Sequence, residues 1–317
     1  MRVSLTDRCN FRCFYCLPHG EPPVAPKEQM LSYEEIEYAA EIFVSLGIEK
    51  IRLTGGEPMM RRDIETIIRK LSALKPRLHD LALTTNGYFL PGRARELKDA
   101  GLDRVTISLD SLRRDRFHEI TGVDALEKVL AAIDSAKLHG FEPVKINAVV
   151  VRGRNDDELA DFAKFARETG VSFRLIEFMP LDSGHGWSRD MVVSGRKVRE
   201  KIEQVYPLRL KERTRGSGTA WKYEFADGAP GEIGIIAPVT EMFCGQCSRI
   251  RLTADGQIRT CLFSNVEHNL RDTLRSGAGR EEVVQFLEST IKTKEARHHI
   301  NDTDFIQPSR TMSFIGG

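Results

Sequence analysis

Directly after its first residue the chain reads RVSLTDRCNFRCFYC, residues 2–16. The first letters, alternating branched apolar with polar side chains, predict a β-strand, and three cysteines follow it on one short loop, Cys9, Cys13 and Cys16. Three thiolates on one loop can reach three corners of an iron–sulfur cubane and leave one iron open for an exogenous molecule. A zinc site completed by His19 is the alternative interpretation of these three cysteines.

The strand before this loop begins a series in which strands and helices alternate up to about residue 180. Strands are predicted at 2–6, 51–54, 81–85, 105–109, 144–151 and 172–178, with helical patterns between them. One helix is predicted to begin at Ser32, where Ser32-x-x-Glu35 reads as a capping box, and another at Asn155-x-x-Glu158. Six βα-type units imply a parallel sheet with right-handed crossovers.

Polar side chains inside these strands distinguish between a doubly wound open sheet and an incomplete barrel. They favour a barrel whose interior is polar and holds the functional site. These side chains are those of Arg52, Thr85, Ser108, Lys145 and Asn147. We therefore predict an α/β fold in which residues 1–180 form an incomplete (βα)6 TIM-like barrel with ligands at the C-terminal strand ends.

Residues 181–317 are predicted to form a C-terminal α+β region. A turn-rich joint over 181–190 and a polar loop over 210–220 enclose one helix, and short strands follow. Here lies a second cysteine group, Cys244-x2-Cys247-x13-Cys261. Asp255-Gly256 reads as a two-residue hairpin turn that would place Cys261 opposite Ile250 and bring the three thiols together. The alternative is a structural zinc site with His268 as the fourth ligand.

Two arginines beside the second cysteine group are candidate ligand contacts. Arg249 and Arg251 lie two residues apart on a predicted strand, so both point to one face. This face is either a solvated polar surface or a phosphate-binding site. The second interpretation is possible because a guanidinium group can donate two parallel hydrogen bonds to phosphate oxygens.

The bulk composition excludes several classes of protein. The net charge of +1, with 29% charged residues, argues against a nucleic-acid-coating surface. No apolar run approaches the roughly 18 residues of a membrane span, and the first residues lack the pattern of a signal or transit peptide, so we expect a cytoplasmic protein. All six cysteines fall into the two groups, which is typical of metal binding rather than of a disulfide framework.

The first cysteine loop, with an aromatic residue (Tyr15) before its last cysteine, resembles the radical S-adenosylmethionine (SAM) superfamily motif. Gly55-Gly56-Glu57-Pro58 after the second strand is similar to the glycine-rich SAM contact of that superfamily. More specifically, the chain resembles the GTP 3',8-cyclase family of molybdenum cofactor biosynthesis. The segments that carry this resemblance are RVSLTDRCNFRCFYC, RLTGGEP, LTTNG, SLDS, VKINAV, RLIEFMP, CGQCSRIRLTADGQIRTCL and the final Gly-Gly.

This resemblance implies two [4Fe-4S] clusters and SAM as cofactors. SAM, chelated by the open iron of the first cluster, would be cleaved to methionine and a 5'-deoxyadenosyl radical. The radical would abstract hydrogen from the ribose C3' of GTP, and the carbon radical would attack C8 to give (8S)-3',8-cyclo-7,8-dihydro-GTP. The second cluster would hold the guanine. A one-electron donor such as a flavodoxin or ferredoxin and a downstream cyclic pyranopterin monophosphate synthase are the implied partners of a monomer or homodimer.

The resemblance also implies roles for individual residues. Those implied for SAM are Tyr15, Gly56, Ser108 and Met179, and those implied for GTP are Arg2, Arg52, Thr85, Lys145, Arg249 and Arg251. The closing Gly316 and Gly317 are similar to a family tail that reaches into the active site. Family members usually carry more residues before the first strand, so we expect either a truncation or an alternative start here.

Two other functions compete with this one. A twin-cluster radical SAM peptide maturase predicts more auxiliary cysteines than the three of the second group. A redox relay or zinc protein without catalysis does not explain Gly55-Gly56-Glu57-Pro58, nor the three-cysteine spacing that leaves one iron open.

Overall fold

The computed structural model describes residues 1–17, 24–182, 186–211 and 218–317. Its strands are β1 (Arg2–Ser4), β2 (Lys50–Thr54), β3 (Asp80–Thr85), β4 (Arg104–Ser108), β5 (Lys145–Val150), β6 (Ser172–Glu177), β7 (Leu208–Leu210), β8 (Trp221–Phe225), β9 (Glu232–Ile236), β10 (Arg251–Leu252), β11 (Gln257–Arg259) and β12 (His268–Asn269). Its α-helices are α1 (Tyr33–Ser45), α2 (Ile64–Ser72), α3 (Ala94–Asp99), α4 (Arg114–Thr121), α5 (Leu126–Leu138), α6 (Leu159–Thr169), α7 (Gly195–Glu203), α8 (Leu270–Arg275), α9 (Arg280–Lys292) and α10 (Met312–Ile315).

All of these strands join one sheet, in the order β12-β11-β10-β1-β2-β3-β4-β5-β6-β9-β8-β7. The neighbours from β10 through β9 are parallel, and antiparallel strands flank them at both edges. The six predicted βα strands are therefore confirmed as the centre of the sheet. The strands of residues 181–317 extend the same sheet, because β10 pairs with β1 and β9 pairs with β6.

The sheet curls into an incomplete barrel. β1 and β6 are five strand positions apart, which would separate them by roughly 24 Å in a flat sheet. Yet the charge of Arg174 in β6 lowers the pKa of Arg2 in β1, so the two side chains lie near each other across the interior. Since β12 and β7 have no outer neighbour in the described ranges, the barrel stays open.

Alternation along each parallel strand separates an apolar outer face from a polar inner face. In β5, Ile146 and Ala148 are fully buried against the helix layer, whereas Lys145 and Asn147 are half-buried in the interior. Phe173 of β6 stacks on Phe162 of α6 at 4.9 Å between ring centroids, which is typical of this outer core. No helix in the described part of the chain is both long and apolar enough to cross a membrane.

The two predicted helix caps have different outcomes. The capping box is confirmed, because Glu35 N donates to Ser32 Oγ at 3.1 Å and Ser32 N donates to the Glu35 carboxylate at 2.7 Å. Asn155 is not a cap. Its amide instead donates to the carbonyls of Asp110 and Val149, at 2.8 and 2.9 Å, and so joins the ends of β4 and β5.

The hairpin between β10 and β11 differs by one residue from the prediction. Arg251 lies opposite Arg259, and Gly256 adopts a φ of +82°. A left-handed glycine closing a three-residue loop accounts for this register, since the extra loop residue shifts every pair. The predicted pairing of Cys261 with Ile250 is therefore wrong.

Candidate active site

The first cysteine loop follows β1 at the C-terminal edge of the barrel. Its backbone contacts the end of α4, because Arg12 N and Phe14 N donate hydrogen bonds to the carbonyls of Thr121 and Ile120, at 2.7 and 3.0 Å. Cys9, Cys13 and Cys16 are free and half-buried. Burial raises the pKa of Cys9 to about 11 and that of Cys16 to about 12. Binding iron must therefore displace thiol protons, as in other thiolate metal sites.

Two glycines pack the loop after β2 against this cysteine loop. Gly56 N donates to Thr6 O at 2.7 Å. A Cβ added to Gly56 would lie 2.2 Å from Arg8 O, and one added to Gly55 would lie 2.5 Å from Thr6 O. Neither position can hold a side chain without moving the cysteine loop, so the two glycines set its position.

A buried carboxylate connects the ends of two strands, β2 and β3, beneath the loop. Glu57 accepts hydrogen bonds from Thr85 Oγ1, Asn86 N and Met59 N, at 2.8, 2.7 and 3.0 Å. Burial raises the pKa of Glu57 to about 7 against the effect of these donors. Asn86 also donates to Asn10 in the cysteine loop at 2.8 Å, so the network extends to the thiols.

The residues implied for SAM lie at or just beyond the C-terminal strand ends. Tyr15 donates to Asp110 Oδ2 at 2.6 Å, and Ser108 is the last residue of β4. Gly56 follows β2 by two residues. Met179 follows β6 by two residues and packs beside a small apolar cluster that contains Leu181, Val239 and Phe263.

Cationic side chains line the barrel interior. Arg251, Arg2 and Arg52 are direct neighbours across β10, β1 and β2. Lys145 and Arg174 face them from β5 and β6. No carboxylate lies within ion-pair distance of any of these five within the described ranges. By contrast, the neighbouring Arg104 is bonded to Asp80 at 2.6 Å.

Burial without a counter-ion perturbs these groups strongly. Burial, added to by the charges of nearby arginines, lowers the pKa of Arg52 and of Arg251 to about 9 and that of Lys145 to about 7. The pKa of Arg2 falls well below its usual value for the same reasons. Guanidinium groups stay charged at neutral pH, so this cluster is costly until an anion enters.

Sequence reasoning missed three members of this interior: Thr84, Thr106 and Arg174. Arg52 Nη1 donates to Thr84 Oγ1 and Thr106 Oγ1, at 3.1 and 2.9 Å. Thr85 was predicted among the interior polar residues, but its hydroxyl donates to Glu57 on the other face of β3. The alternation that selects Lys145 also selects Arg174 as an inward position, and this signal could have identified it.

A buried acceptor remains open next to Ser108. Asn147 lies opposite Ser108 in the sheet, and its Oδ1 has no hydrogen-bond partner in the described structure. Buried polar atoms are normally satisfied, so an unpaired one in a polar interior indicates a place for a ligand or water.

The second cysteine group adjoins the arginine cluster. Cys247 N donates to Cys244 O at 2.9 Å in a short 3-10 turn. Arg249 lies 3.3 Å from Cys247 Sγ through Nε. Burial is the largest single influence and raises the pKa of Cys247, but the charge and hydrogen bonds of Arg249, together with the charge of Lys294, lower it more in sum, so the net shift is downward. The thiols of Cys247 and Cys261 also lie close enough for their charges to lower the burial cost of Arg251.

Of the two histidines of the zinc alternative, the structure describes only His268, which does not complete the second thiol group. His268 shares a hydrogen bond with Thr293 at 3.3 Å, and His19 lies outside the described residues. Within the described ranges, no three His, Cys, Asp or Glu side chains converge on one point that could hold a single metal ion. Two sets of three thiols fit the donor set of two cubanes with one open iron each.

The last residues lie between the two groups. Gly316 O accepts a hydrogen bond from Arg251, and a Cβ on Gly316 would lie 2.6 Å from Thr54 Oγ1. The Ser313 backbone amide lies close enough to the Cys16 thiol to lower its pKa against the effect of burial. Gly317 follows, half-buried.

Two family models match the chain. The radical SAM superfamily model matches residues 3–166, and the model named Molybdenum Cofactor Synthesis C matches residues 171–300.

Curated relatives match over the whole chain. GTP 3',8-cyclase from Mycolicibacterium smegmatis is 44% identical, with 100% of this chain and 89% of the relative covered. GTP 3',8-cyclase from Syntrophomonas wolfei is 43% identical, with 100% and 97% covered.

Solved structures share the fold at low identity. Streptococcus suis SuiB superimposes with a TM-score of 0.62 at 13% identity, over 84% of this chain and 62% of that one. A second structure, native anSMEcpe with bound AdoMet, gives a TM-score of 0.59 at 15% identity, over 94% of this chain and 81% of that one.

The fold, the cysteine loop and the superfamily match define a radical SAM enzyme. The full-length relatives narrow the class, and the chain belongs to the GTP 3',8-cyclase family. It is therefore a lyase of molybdenum cofactor biosynthesis that acts on GTP, with SAM and [4Fe-4S] clusters as cofactors. The peptide maturase alternative is not favoured, since the curated matches carry the cyclase name.

Proposed function

We propose that the barrel interior holds the triphosphate of GTP on Arg2, Arg52, Lys145, Arg249 and Arg251, joined by Arg174. The observation that carries this assignment is the burial of interior cations without carboxylate partners in the described ranges. A triphosphate would satisfy them, because it brings several negative charges and many acceptor oxygens into one site. Thr85, the sixth residue implied for GTP, already donates its hydroxyl to Glu57 and would act at the strand end beneath the cysteine loop.

Cys9, Cys13 and Cys16 are the proposed ligands of the first cluster. Tyr15, Gly56, Ser108 and Met179 surround the adjacent strand ends, where they would hold SAM. When bound, this cluster and SAM supply a 5'-deoxyadenosyl radical that starts the cyclisation of GTP. The chain's own contribution is orientation, with the Tyr15 ring fixed by its bond to Asp110.

Cys244, Cys247 and Cys261 are the proposed ligands of the second cluster, which would face the guanine end of the substrate. Arg249 lies between this thiol group and the interior cations, so the base and the triphosphate can be held at once. We also propose that the chain divides by function near residue 180, into a radical-generating barrel (1–180) and a substrate-holding region (181–317). Gly316 and Gly317 would line the site.

The partners follow from the chemistry. Reducing the first cluster needs a one-electron donor, for which a flavodoxin or ferredoxin is suited, and the cyclised nucleotide needs a downstream synthase that forms cyclic pyranopterin monophosphate. Six free thiols in two proposed metal-binding groups stay reduced in a reducing compartment, so we propose that the protein is located in the cytoplasm.

The test is an anaerobic assay of the iron-reconstituted protein with dithionite, SAM and each of the four nucleoside triphosphates. Mass spectrometry follows 5'-deoxyadenosine and the nucleotide. We expect GTP-dependent deoxyadenosine and a cyclised isomer of GTP with unchanged mass. Deoxyadenosine formation that does not depend on GTP would refute the substrate assignment.

Two variants separate the two halves of the site. Cys13→Ala should abolish SAM cleavage, and retained 5'-deoxyadenosine would refute the first-cluster assignment. Arg251→Ala should weaken GTP binding about tenfold or more while SAM cleavage without coupled cyclisation persists. Unchanged GTP affinity would contradict the triphosphate assignment.

A further inference from the structure

We infer that Arg310 is a positioning residue that fixes the C-terminal tail, residues 311–317, against the substrate-binding hairpin through Asp255 and Glu267. We refer to these three residues as the tail clamp. The inference rests on the proposed function, because it gives the tail a defined place at the proposed GTP site.

The tail clamp uses three nitrogens of one guanidinium. Arg310 Nη1 and Nη2 each lie 2.9 Å from one oxygen of Asp255, and Arg310 Nε lies 3.0 Å from Glu267 Oε2. The Asp255 side chain is 7% exposed. Burial alone would raise the pKa of Asp255, but the bonds from Arg310 and Thr253 hold it below its usual value. Because the planar guanidinium of Arg310 bonds to both carboxylates, the orientation of its side chain is fixed as well as its distance from them.

Both carboxylates of the tail clamp are attached to the hairpin that carries the proposed phosphate contact, one within its turn and the other through a bond to its second strand. Asp255 lies in the turn between β10 and β11, and Arg251 begins β10. Glu267 precedes β12, and its other oxygen accepts from the fully buried Arg259 of β11 at 2.7 Å. The clamp therefore holds the tail to this hairpin and not to a flexible surface loop.

Beyond the tail clamp, the tail contacts both halves of the proposed site. Gly316 O accepts a hydrogen bond from Arg251, and the Ser313 backbone amide lies near the thiol of Cys16. The short helix α10 sets the distance between these two contacts. Arg310 immediately precedes this segment, so its three bonds determine where both contacts fall.

Hydrogen exchange on the full, cluster-loaded chain tests the inference independently of activity. Arg310→Ala should speed exchange of the amides in 311–317 by at least about tenfold, equivalent to about 1.4 kcal/mol, while exchange in the barrel strands stays unchanged. Arg310→Lys, which keeps the charge but loses the fork, should give an intermediate effect. Arg167→Ala is the matched control, since Arg167 forms a similar bidentate pair with Asp227 on the outer face of α6.

Kinetics test whether the position of the tail matters to the substrate. In Arg310→Ala we expect a higher KM for GTP and more 5'-deoxyadenosine per cyclised nucleotide, with neither change in Arg167→Ala. Unchanged tail exchange in both Arg310 variants would overturn the inference, and so would a loosened tail with unchanged KM and coupling. If wild-type protein makes no cyclised nucleotide, the proposed function fails, whereas the exchange comparison still tests the clamp itself.

Discussion

Like-charged side chains at the centre of this sheet determine what the interior can bind. Arg2, Arg52, Lys145, Arg174 and Arg251 lie in a low-dielectric space, and the described ranges supply them with hydroxyl and carbonyl partners but no carboxylate. A buried charge without a counter-ion costs more than a hydrogen bond returns. The interior is therefore preorganised for an anion.

Lys145 gives a prediction at this scale. Its pKa of about 7 means that it is mostly neutral at pH 8 in the ligand-free protein. A bound triphosphate favours the ammonium form and raises this pKa, so GTP binding at pH 8 should take up close to one proton, and affinity should fall as pH rises through 7 to 9. Calorimetry in two buffers of different ionisation enthalpy measures the uptake.

Lys145→Gln should lose this proton uptake. Lys164→Gln is its control, because Lys164 pairs with Glu168 on the exposed face of α6. The same uptake in wild type and Lys145→Gln would assign the titration to another group.

At the scale of elements, the loops after β1 and β2 act as one unit. Their contact is backbone to backbone at Gly55 and Gly56, and Glu57 with Asn86 extends it to β3. The thiols can converge only if this contact forms. The backbone contact at Gly55 and Gly56 therefore couples the turn after β2 to the proposed metal site in the loop after β1.

Gly56→Ala should prevent this contact, because its Cβ would meet Arg8 O at 2.2 Å. We expect reconstituted protein to lose about half of its iron, with the first site empty and the second retained, since each cubane has its own cysteine loop. Iron analysis with electron paramagnetic resonance measures both sites. Gly92→Ala, whose Cβ would meet nothing within 4 Å, should keep full occupancy. Full iron in Gly56→Ala would contradict the role of the contact.

At the scale of the whole molecule, C-terminal strands complete a barrel begun by N-terminal ones. β10 brings Arg251 beside Arg2, although 249 positions of sequence separate them. The curl of the sheet then brings β6 near β1. Stability and substrate binding are therefore coupled, because the fold itself concentrates the cations.

This coupling predicts that anions stabilise the protein. Inorganic tripolyphosphate should raise the Tm of the nucleotide-free protein by at least about 2 °C, whereas guanosine should have a smaller effect, since it brings no charge to the cations. The shift should shrink in Arg251→Ala. Equal shifts from tripolyphosphate and guanosine would argue against a charge-driven site.

The sequence by itself determined the features that local spacing encodes. Alternating patterns fixed the order of the βα units, and a capping box fixed the start of α1. Cysteine spacing defined both thiol groups, because each lies on a short segment whose geometry depends on few residues. Alternation also selected Arg52, Lys145 and Asn147 as inward positions.

Only the tertiary structure decided which of these residues meet. The register of the hairpin depended on one left-handed glycine, and Thr85 turned to Glu57 because β3 placed Thr84 inward. The joining of β10 to β1 and the path of the tail to Arg251 depend on long-range pairing, which no local pattern specifies. Burial then set the pKa values, since desolvation is a property of the packed molecule and not of the residue.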